Sequence, residues 1–298
     1  MLPEYLGKKG ATVKIKQWTD EDILQAIHES DHVTFLWCED YIKDPDAFRR
    51  FLGKVKTFLE GSERGPCVMN HIDLVQWNMD KKYLLEMQKA GFDIPKTEIV
   101  DTSISVAELQ ERLMELEPFS PIVLKPSVSA SSKKTRRIEN TSALTADDVK
   151  FLVSCTTGFL QSSLVIQQFE PSITTGEYSF MFIGNKLTHI VLKTPPTKEF
   201  RCQPEFGGLE KLVDFSDVKE QTLSTVQAIF ENLKARFGEG STGKMGYLRI
   251  DGLVTPESPI KLMEIEAIEP HLYLEMEGLE EMALLMLGSV MDSSKYQL

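Results

Sequence analysis

Along the chain, short apolar runs of strand length alternate with longer stretches in which apolar residues recur every three or four positions. Thr19 opens one such periodic segment. Asp44-Pro45 opens a second, with proline at the first helical position, where its missing N–H costs little. Between them VTFLW, 33 to 37, reads as a buried strand. A third helix is predicted from about Asn78 to Ala90, ended by Gly91, and Ser105 with Glu108 forms a capping-box signature for a fourth. Residues 1 to about 100 therefore read as α/β. From 121 the texture changes to short apolar runs, PIVLKP, LVIQQF, YSFMFI and KLTHIVLK, with Gly184-Asn185 as a hairpin turn between the last two. Val218, Val226, Ile229, Phe230, Leu233 and Phe237 fit one face of a long helix closed by Gly238. A final pair of strands and a C-terminal helix, LEEMALLML, follow. The Ser/Lys/Arg-rich stretch from Ser127 to Arg137 is the clear mobile-loop candidate.

Composition narrows what such a chain can do. At 298 residues and 42% hydrophobic it can bury a substantial core in two or three lobes. Its net charge of −12 argues against general affinity for nucleic acid or anionic membrane, since both demand a basic face. The N-terminal stretch MLPEYLGKKGATVKIKQW lacks a signal peptide's apolar core, and no stretch approaches the roughly 20 apolar residues of a membrane helix, so a cytoplasmic location is expected. Cys38, Cys67, Cys155 and Cys202 lie far apart with no CxxC pair, which predicts reduced thiols rather than a zinc site or disulfide framework.

The most informative chemistry lies in YLRIDGLV, 247 to 254, and IKLMEIE, 260 to 266. Side chains alternate across a strand, so Arg249 and Asp251 share one face of the first, and Glu264 and Glu266 share one face of the second. Antiparallel pairing would bring three carboxylates together, which requires a compensating cation. Oxygen-only ligands point to Mg²⁺ or Mn²⁺, and Mg²⁺ held by a few carboxylates usually also holds nucleotide phosphates. Periodicity alone also fits an exposed acidic strand face in an acidic protein.

This arrangement resembles the C-terminal signature of ATP-grasp ligases, where R-x-D is followed about a dozen residues later by E-x-N. Glu266 stands where many members have Asn, which keeps an oxygen ligand and adds charge. WNMDKKYLLEMQKAGFDIPKT, 77 to 97, is similar to the family segment linking the N-terminal and central domains. VLKP at 123 to 126 and IQQFEPSITTGEYSF at 166 to 180 resemble the adenine-side lysine strand and the hinge. FRCQPEFGG, 200 to 208, and IEAIEPHLYLE, 265 to 275, look like the cycloserine-forming cyclo-ligase branch, related to glutathione synthetase and D-alanine ligase. The resemblance implies an ATP-grasp fold of α+β and α/β parts: a shortened N-terminal α/β domain, 1–100, and two α+β lobes, 101–170 and 171–298, enclosing a nucleotide.

It also implies roles. Asp251, Glu264 and Glu266 would hold the metal. Lys125, ending an apolar strand, would meet an ATP α- or β-phosphate, although a snorkelling lysine is the alternative. Lys81 of the D-K motif would contact phosphate, with the adjacent Lys82 and an exposed helix face as alternatives. Gln167, Gln168, Phe169 and Glu170 would form the adenine hinge, and Glu177 would accept from a ribose hydroxyl. SVSASS, 127 to 132, occupies the place of the phosphate-covering loop, with serines such as Ser127 and Ser129 where relatives carry glycine. Lys193, Arg201 and Arg249 are the cations expected nearest the reaction, Arg249 for an oxyanion and Arg201 for the substrate carboxylate. His189 and His271 read as structural. The implied partners are ATP, Mg²⁺ (or Mn²⁺), a small carboxylate and its nucleophile, and a second copy of the chain in a homodimer.

Overall fold

Where an apolar stripe and a capping residue coincide, the predicted helices form. The computed structural model describes residues 2–8, 10–62, 65–101, 103–116, 120–130, 134–156, 162–197, 199–202, 204–240, 243–276 and 279. Helix α3 (Pro45–Glu60) buries Phe48, Phe51, Leu52, Val55 and Leu59 along one face, and the Asp44 side chain accepts from the Ala47 N–H at its start. Helix α6 (Val106–Glu115) begins with the reciprocal Ser105–Glu108 capping box. Helix α8 (Glu220–Phe237) buries Val226, Ile229, Phe230 and Leu233. Three further helices are α1 (Leu2–Lys8), α2 (Ile23–His28) and α7 (Ala146–Thr156).

The described strands fall into three sheets. The first, in the order β1-β2-β11-β10, joins β1 (His32–Thr34) and β2 (Cys67–Met69) to β10 (Glu239–Gly240) and β11 (Gly243–Lys244). The second, β3-β6-β4-β5, contains β3 (Thr97–Val100), β4 (Ile122–Pro126), β5 (Arg136–Ile138) and β6 (Leu164–Gln168). The third, β13-β12-β7-β8-β9, is antiparallel throughout: β7 (Glu177–Ile183), β8 (Lys186–Thr194), β9 (Leu209–Val213), β12 (Tyr247–Leu253) and β13 (Lys261–Glu266). Its core face packs on α8, with the Phe182 and Phe230 rings stacked at 4.2 Å. Strand partners cross the boundaries drawn from the sequence: β3 pairs with β6, and Lys244 of β11 pairs with Met69 of β2. No helix among the described residues is long and apolar enough to cross a membrane.

Several elements differ from the pattern-based expectation. The strand at 33–37 ends at Thr34, and Trp37 is exposed. The helix expected over 78–90 forms only as α5 (Tyr83–Lys89), and Asn78 instead ends a separate helix, α4 (Ile72–Asn78). At the break the Lys81 N–H donates to the Ser127 carbonyl at 2.7 Å, outside either helix. The end of the Ser/Lys/Arg-rich stretch is ordered by pairing, since Arg136 and Arg137 lie opposite Leu124 and Val123 in β5. Residues 131–133 of that stretch, and the predicted C-terminal helix beyond Leu279, lie outside the described residues.

Candidate active site

A cavity of about 390 Å³ opens between the central and antiparallel sheets. Of the residues singled out from the sequence, Lys81, Lys125, Ser129, Gln167, Gln168, Phe169, Glu170, Glu177, Lys193, Arg201, Arg249, Asp251, Glu264 and Glu266 all line it. Ser127 does not. It is fully buried, its Oγ has no hydrogen-bond partner among the described residues, and its backbone bonds to Lys81 and Ser163.

Strands β12 and β13 build the charged end. Their antiparallel register sets Arg249 opposite Glu266 and Asp251 opposite Glu264. Arg249 grips Asp251 with Nε and Nη2, at 3.0 and 2.9 Å, and also pairs with Glu266. Lys193 Nζ lies 3.1 Å from Asp251 and 2.6 Å from Glu177, while Ser179 Oγ donates to Asp251 at 2.6 Å. The result is a continuous run of paired acidic and basic groups, Glu177–Lys193–Asp251–Arg249–Glu266, across three neighbouring strands and β13. Burial works to raise the Asp251 pKa, but Arg249 and Lys193 overcome it and hold the carboxyl at about 2. Burial opposes the Lys193 charge too, yet Asp251 and Glu177 keep it firmly protonated. Glu266 goes the other way: burial lifts it to about 8 against the pull of Arg249, with Glu264 and Asp251 adding repulsion.

Two further lysines face this cluster. Lys81 Nζ pairs with Glu264 at 3.0 Å and donates to the Ser129 carbonyl at 2.8 Å. Lys125 has no carboxylate in pairing range among the described residues. Burial lowers its pKa, with more distant Glu264 resisting. The neighbouring Lys82 pairs with the nearby Asp80 at 3.8 Å, and its side chain is 54% exposed, so the turn at 79–82 points Lys81 inward and Lys82 outward.

The opposite end is apolar. Phe169, Ile173, Cys202 and Leu253 form a buried cluster with Val123, Phe200 and Met263. The hinge backbone is anchored there: the Gln168 N–H donates to the Lys96 carbonyl and the Phe169 N–H to that of Pro121, both at 2.8 Å. Gln167 Nε2 donates to Thr97 Oγ1, and the Glu170 carboxylate pairs with Lys261 at 2.8 Å. Gly176, just before Glu177, has φ +119°, and a Cβ there would stand 2.5 Å from Leu192 Cδ1, so the turn requires glycine. Arg201 stacks on Phe206 at 3.6 Å and is held bidentately by Glu199, whose pKa these bonds depress to about 2. Of the two histidines, His189 is buried and bonds the Leu272 carbonyl, whereas His271 lines the cavity and faces Glu275.

Several residues that pattern reading passed over complete the site. Glu199 and Ser179 are polar partners visible only in three dimensions. Asn78 stands three residues before Lys81, in the segment quoted above, and its spacing from the D-K pair was the available signal. Tyr41 and Glu39 bring the N-terminal region to the cavity wall.

The donor set suits a hard divalent cation: it is oxygen-only, and Glu264 and Glu266 open to the cavity with side chains 31% and 28% exposed. Asp251 is closed behind them, shared among Arg249, Lys193 and Ser179. Among the described residues no three His, Cys, Asp or Glu side chains already meet as a ready-made metal cluster.

No family model matches the chain, and no curated protein matches it in sequence. Solved structures match it in shape. The crystal structure of D-cycloserine synthetase DcsG superposes with a TM-score of 0.77 at 18% identity, covering 97% of this chain and 92% of that one. D-alanine–D-alanine ligase from Bacillus anthracis complexed with ATP gives 0.59 at 13% identity, covering 91% and 80%. Carboxyaminoimidazole ribonucleotide synthase from Aspergillus clavatus complexed with ATP gives 0.57 at 14% identity, covering 87% and 60%. With three sheets connected as described and a charged cavity between two of them, the chain has the ATP-grasp fold.

Proposed function

We propose that this protein is an ATP-dependent ligase that activates a small, amino-acid-like carboxylate as an acyl phosphate and passes it to an amine or similar nucleophile, releasing ADP and phosphate. The observation that carries this reading is Lys125. It is an ammonium facing the cavity with no carboxylate in pairing range among the described residues, while Lys81, Lys193, Arg201 and Arg249 each hold one. A desolvated cation without an anion is costly, and a nucleotide phosphate supplies the missing charge.

In this reading the apolar cluster around Phe169 takes the base, with Gln167, Gln168 and Glu170 at its edge, and Glu177 accepts from the ribose. Lys81 and Lys125 meet the phosphates, and Ser129 and the buried Ser127 help shape the covering loop. Glu264 and Glu266, backed by Asp251, hold Mg²⁺ (or Mn²⁺). When bound, the ion neutralises phosphate charge. A substrate carboxylate oxygen attacks the γ-phosphorus and the bond to ADP breaks. The nucleophile then attacks the acyl carbon, phosphate leaves with the C–O electron pair, and the nucleophile loses its proton. Arg249 faces the oxyanion of that second step, and Arg201 orients the substrate through the guanidinium edge that Glu199 leaves free. Lys193, already committed to two carboxylates, holds Glu177 and Asp251 in place and keeps Asp251 charged. The likeness to a D-cycloserine synthetase supports a nucleophile on the same molecule, so that the product is a ring. The reading includes a homodimer, which a single-chain mass in solution would overturn.

The test is ADP and AMP release from MgATP across a panel of amino acids and their derivatives, with hydroxylamine present and Asp251→Asn as control. Substrate-stimulated ADP with hydroxamate formation is expected, and is lost in the control. AMP release would sink the acyl-phosphate mechanism, and ADP without hydroxamate would indicate phosphorylation of a hydroxyl instead.

A further inference from the structure

Strand β13 carries Glu264 and Glu266 and lies at the edge of its sheet, so among the described residues no strand neighbours the outward N–H and C=O groups of Ile265 and Ala267. Side chains from residues 70–83 take that strand's place. Asn78 Nδ2 donates to the Ile265 carbonyl at 2.7 Å, and Asn78 Oδ1 accepts from the Ala267 N–H at 2.8 Å. The Tyr83 hydroxyl accepts from the Ile265 N–H at 2.9 Å. Asn70 Nδ2 donates to the Ala267 carbonyl at 2.7 Å.

Each bond fixes a peptide plane. The Ile265 N–H belongs to the plane joining it to Glu264, the Ile265 carbonyl to the plane joining it to Glu266, and the Ala267 N–H to the plane after Glu266. Three consecutive planes are thus locked around the two carboxylates that open to the cavity. The amide of Asn78 is 8% exposed and the Tyr83 side chain 2%, so water competes little for these bonds. Lys81, three residues after Asn78, adds its ion pair with Glu264.

We infer that Asn78, seconded by Tyr83, is a positioning residue for the metal-binding carboxylates: by standing in for a missing strand it sets the spacing and aim of Glu264 and Glu266. This rests on the proposed nucleotide and metal site. It also gives the segment ending in the D-K pair a second task besides presenting Lys81, since it holds the strand that the lysine faces.

The test measures, by titration calorimetry, ATP affinity with EDTA and with Mn²⁺ for the wild type, Asn78→Ala and Tyr83→Phe, alongside thermal unfolding. The expected result is a factor by which Mn²⁺ tightens ATP binding that is about tenfold smaller in Asn78→Ala, the scale for loss of a group that orients metal ligands. Affinity in EDTA should stay within about twofold of wild type. Tyr83→Phe, which removes a single hydroxyl, should show the same pattern more weakly and serves alone if Asn78→Ala does not fold. An unchanged Mn²⁺ factor in a folded variant, even with a lowered Tm, overturns the inference and leaves the ligase reading intact. A wild type that binds no ATP, or whose ATP binding ignores Mn²⁺, overturns the proposed site and this inference together.

Discussion

The two sheets that face each other across the cavity treat their lysines in opposite ways. On the antiparallel sheet, Lys193 sits between Glu177 and Asp251, and Arg249 between Asp251 and Glu266, so positive and negative groups neutralise one another inside the protein. On the central sheet, Lys125 faces the same cavity with no such partner among the described residues. Charge on one wall is satisfied by folding, and in the function proposed above Lys125 on the other awaits a ligand. Lys193, Arg249 and Asp251 are buried ions that cannot lose a partner cheaply, whereas the half-buried Lys125 has no paired carboxylate to lose among the described residues.

The largest test of this contrast is Lys193→Met. It leaves Glu177 without its cation and takes one of two cations from the buried Asp251, and should cost about 3–5 kcal/mol in denaturant unfolding. Loss of less than 1 kcal/mol, on the order of an exposed pair, would show that the network is not held as described. Lys125→Met should leave Tm unchanged or raise it while weakening ATP binding by about 10- to 100-fold, the scale of a lost charged hydrogen bond. A fall in Tm with intact nucleotide affinity would reverse the assignment of the two walls. Gly176→Ala sharpens the comparison at the base of Glu177. Strain at a positive φ and the clash with Leu192 should destabilise by about 1–3 kcal/mol, read from thermal unfolding. The smallest effect concerns His189, where burial lowers the pKa from 6.5. The unfolded chain takes up a proton near 6.5 that the folded ring refuses, so stability should decline as pH falls below that value, by no more than about 1.4 kcal/mol per pH unit. Subtracting the same curve for His189→Gln isolates this contribution, and parallel curves would refute it.

What the sequence disclosed follows the range of the interactions involved. Asp44-Pro45, Ser105–Glu108 and the alternation in 247–254 and 260–266 are local signals, and the corresponding helices and strands form as those signals require. The turn at 79–82 was not legible as a helix break, because the bond that draws Lys81 aside comes from Ser127, far along the chain. Strands β2, β10 and β11 are two or three residues long and carry no periodicity, so only their pairing defines them. For the candidate site, residue types were readable where charge must sit in an apolar strand, as at Lys125 and Asp251. The anchors were not: Ser179 and Glu199 are ordinary polar residues until the fold sets them against Asp251 and Arg201.

The first sheet has a consequence for how the chain comes into being. Its strands β1 and β2 are made within the first 69 residues, but β11, which pairs with β2, follows only at Gly243–Lys244. During synthesis the early part of the chain therefore emerges with one sheet edge bare, and about 170 residues must follow before that edge is covered. Expression of residues 1–242 alone should therefore leave the β2 edge uncovered and lower the yield of soluble protein.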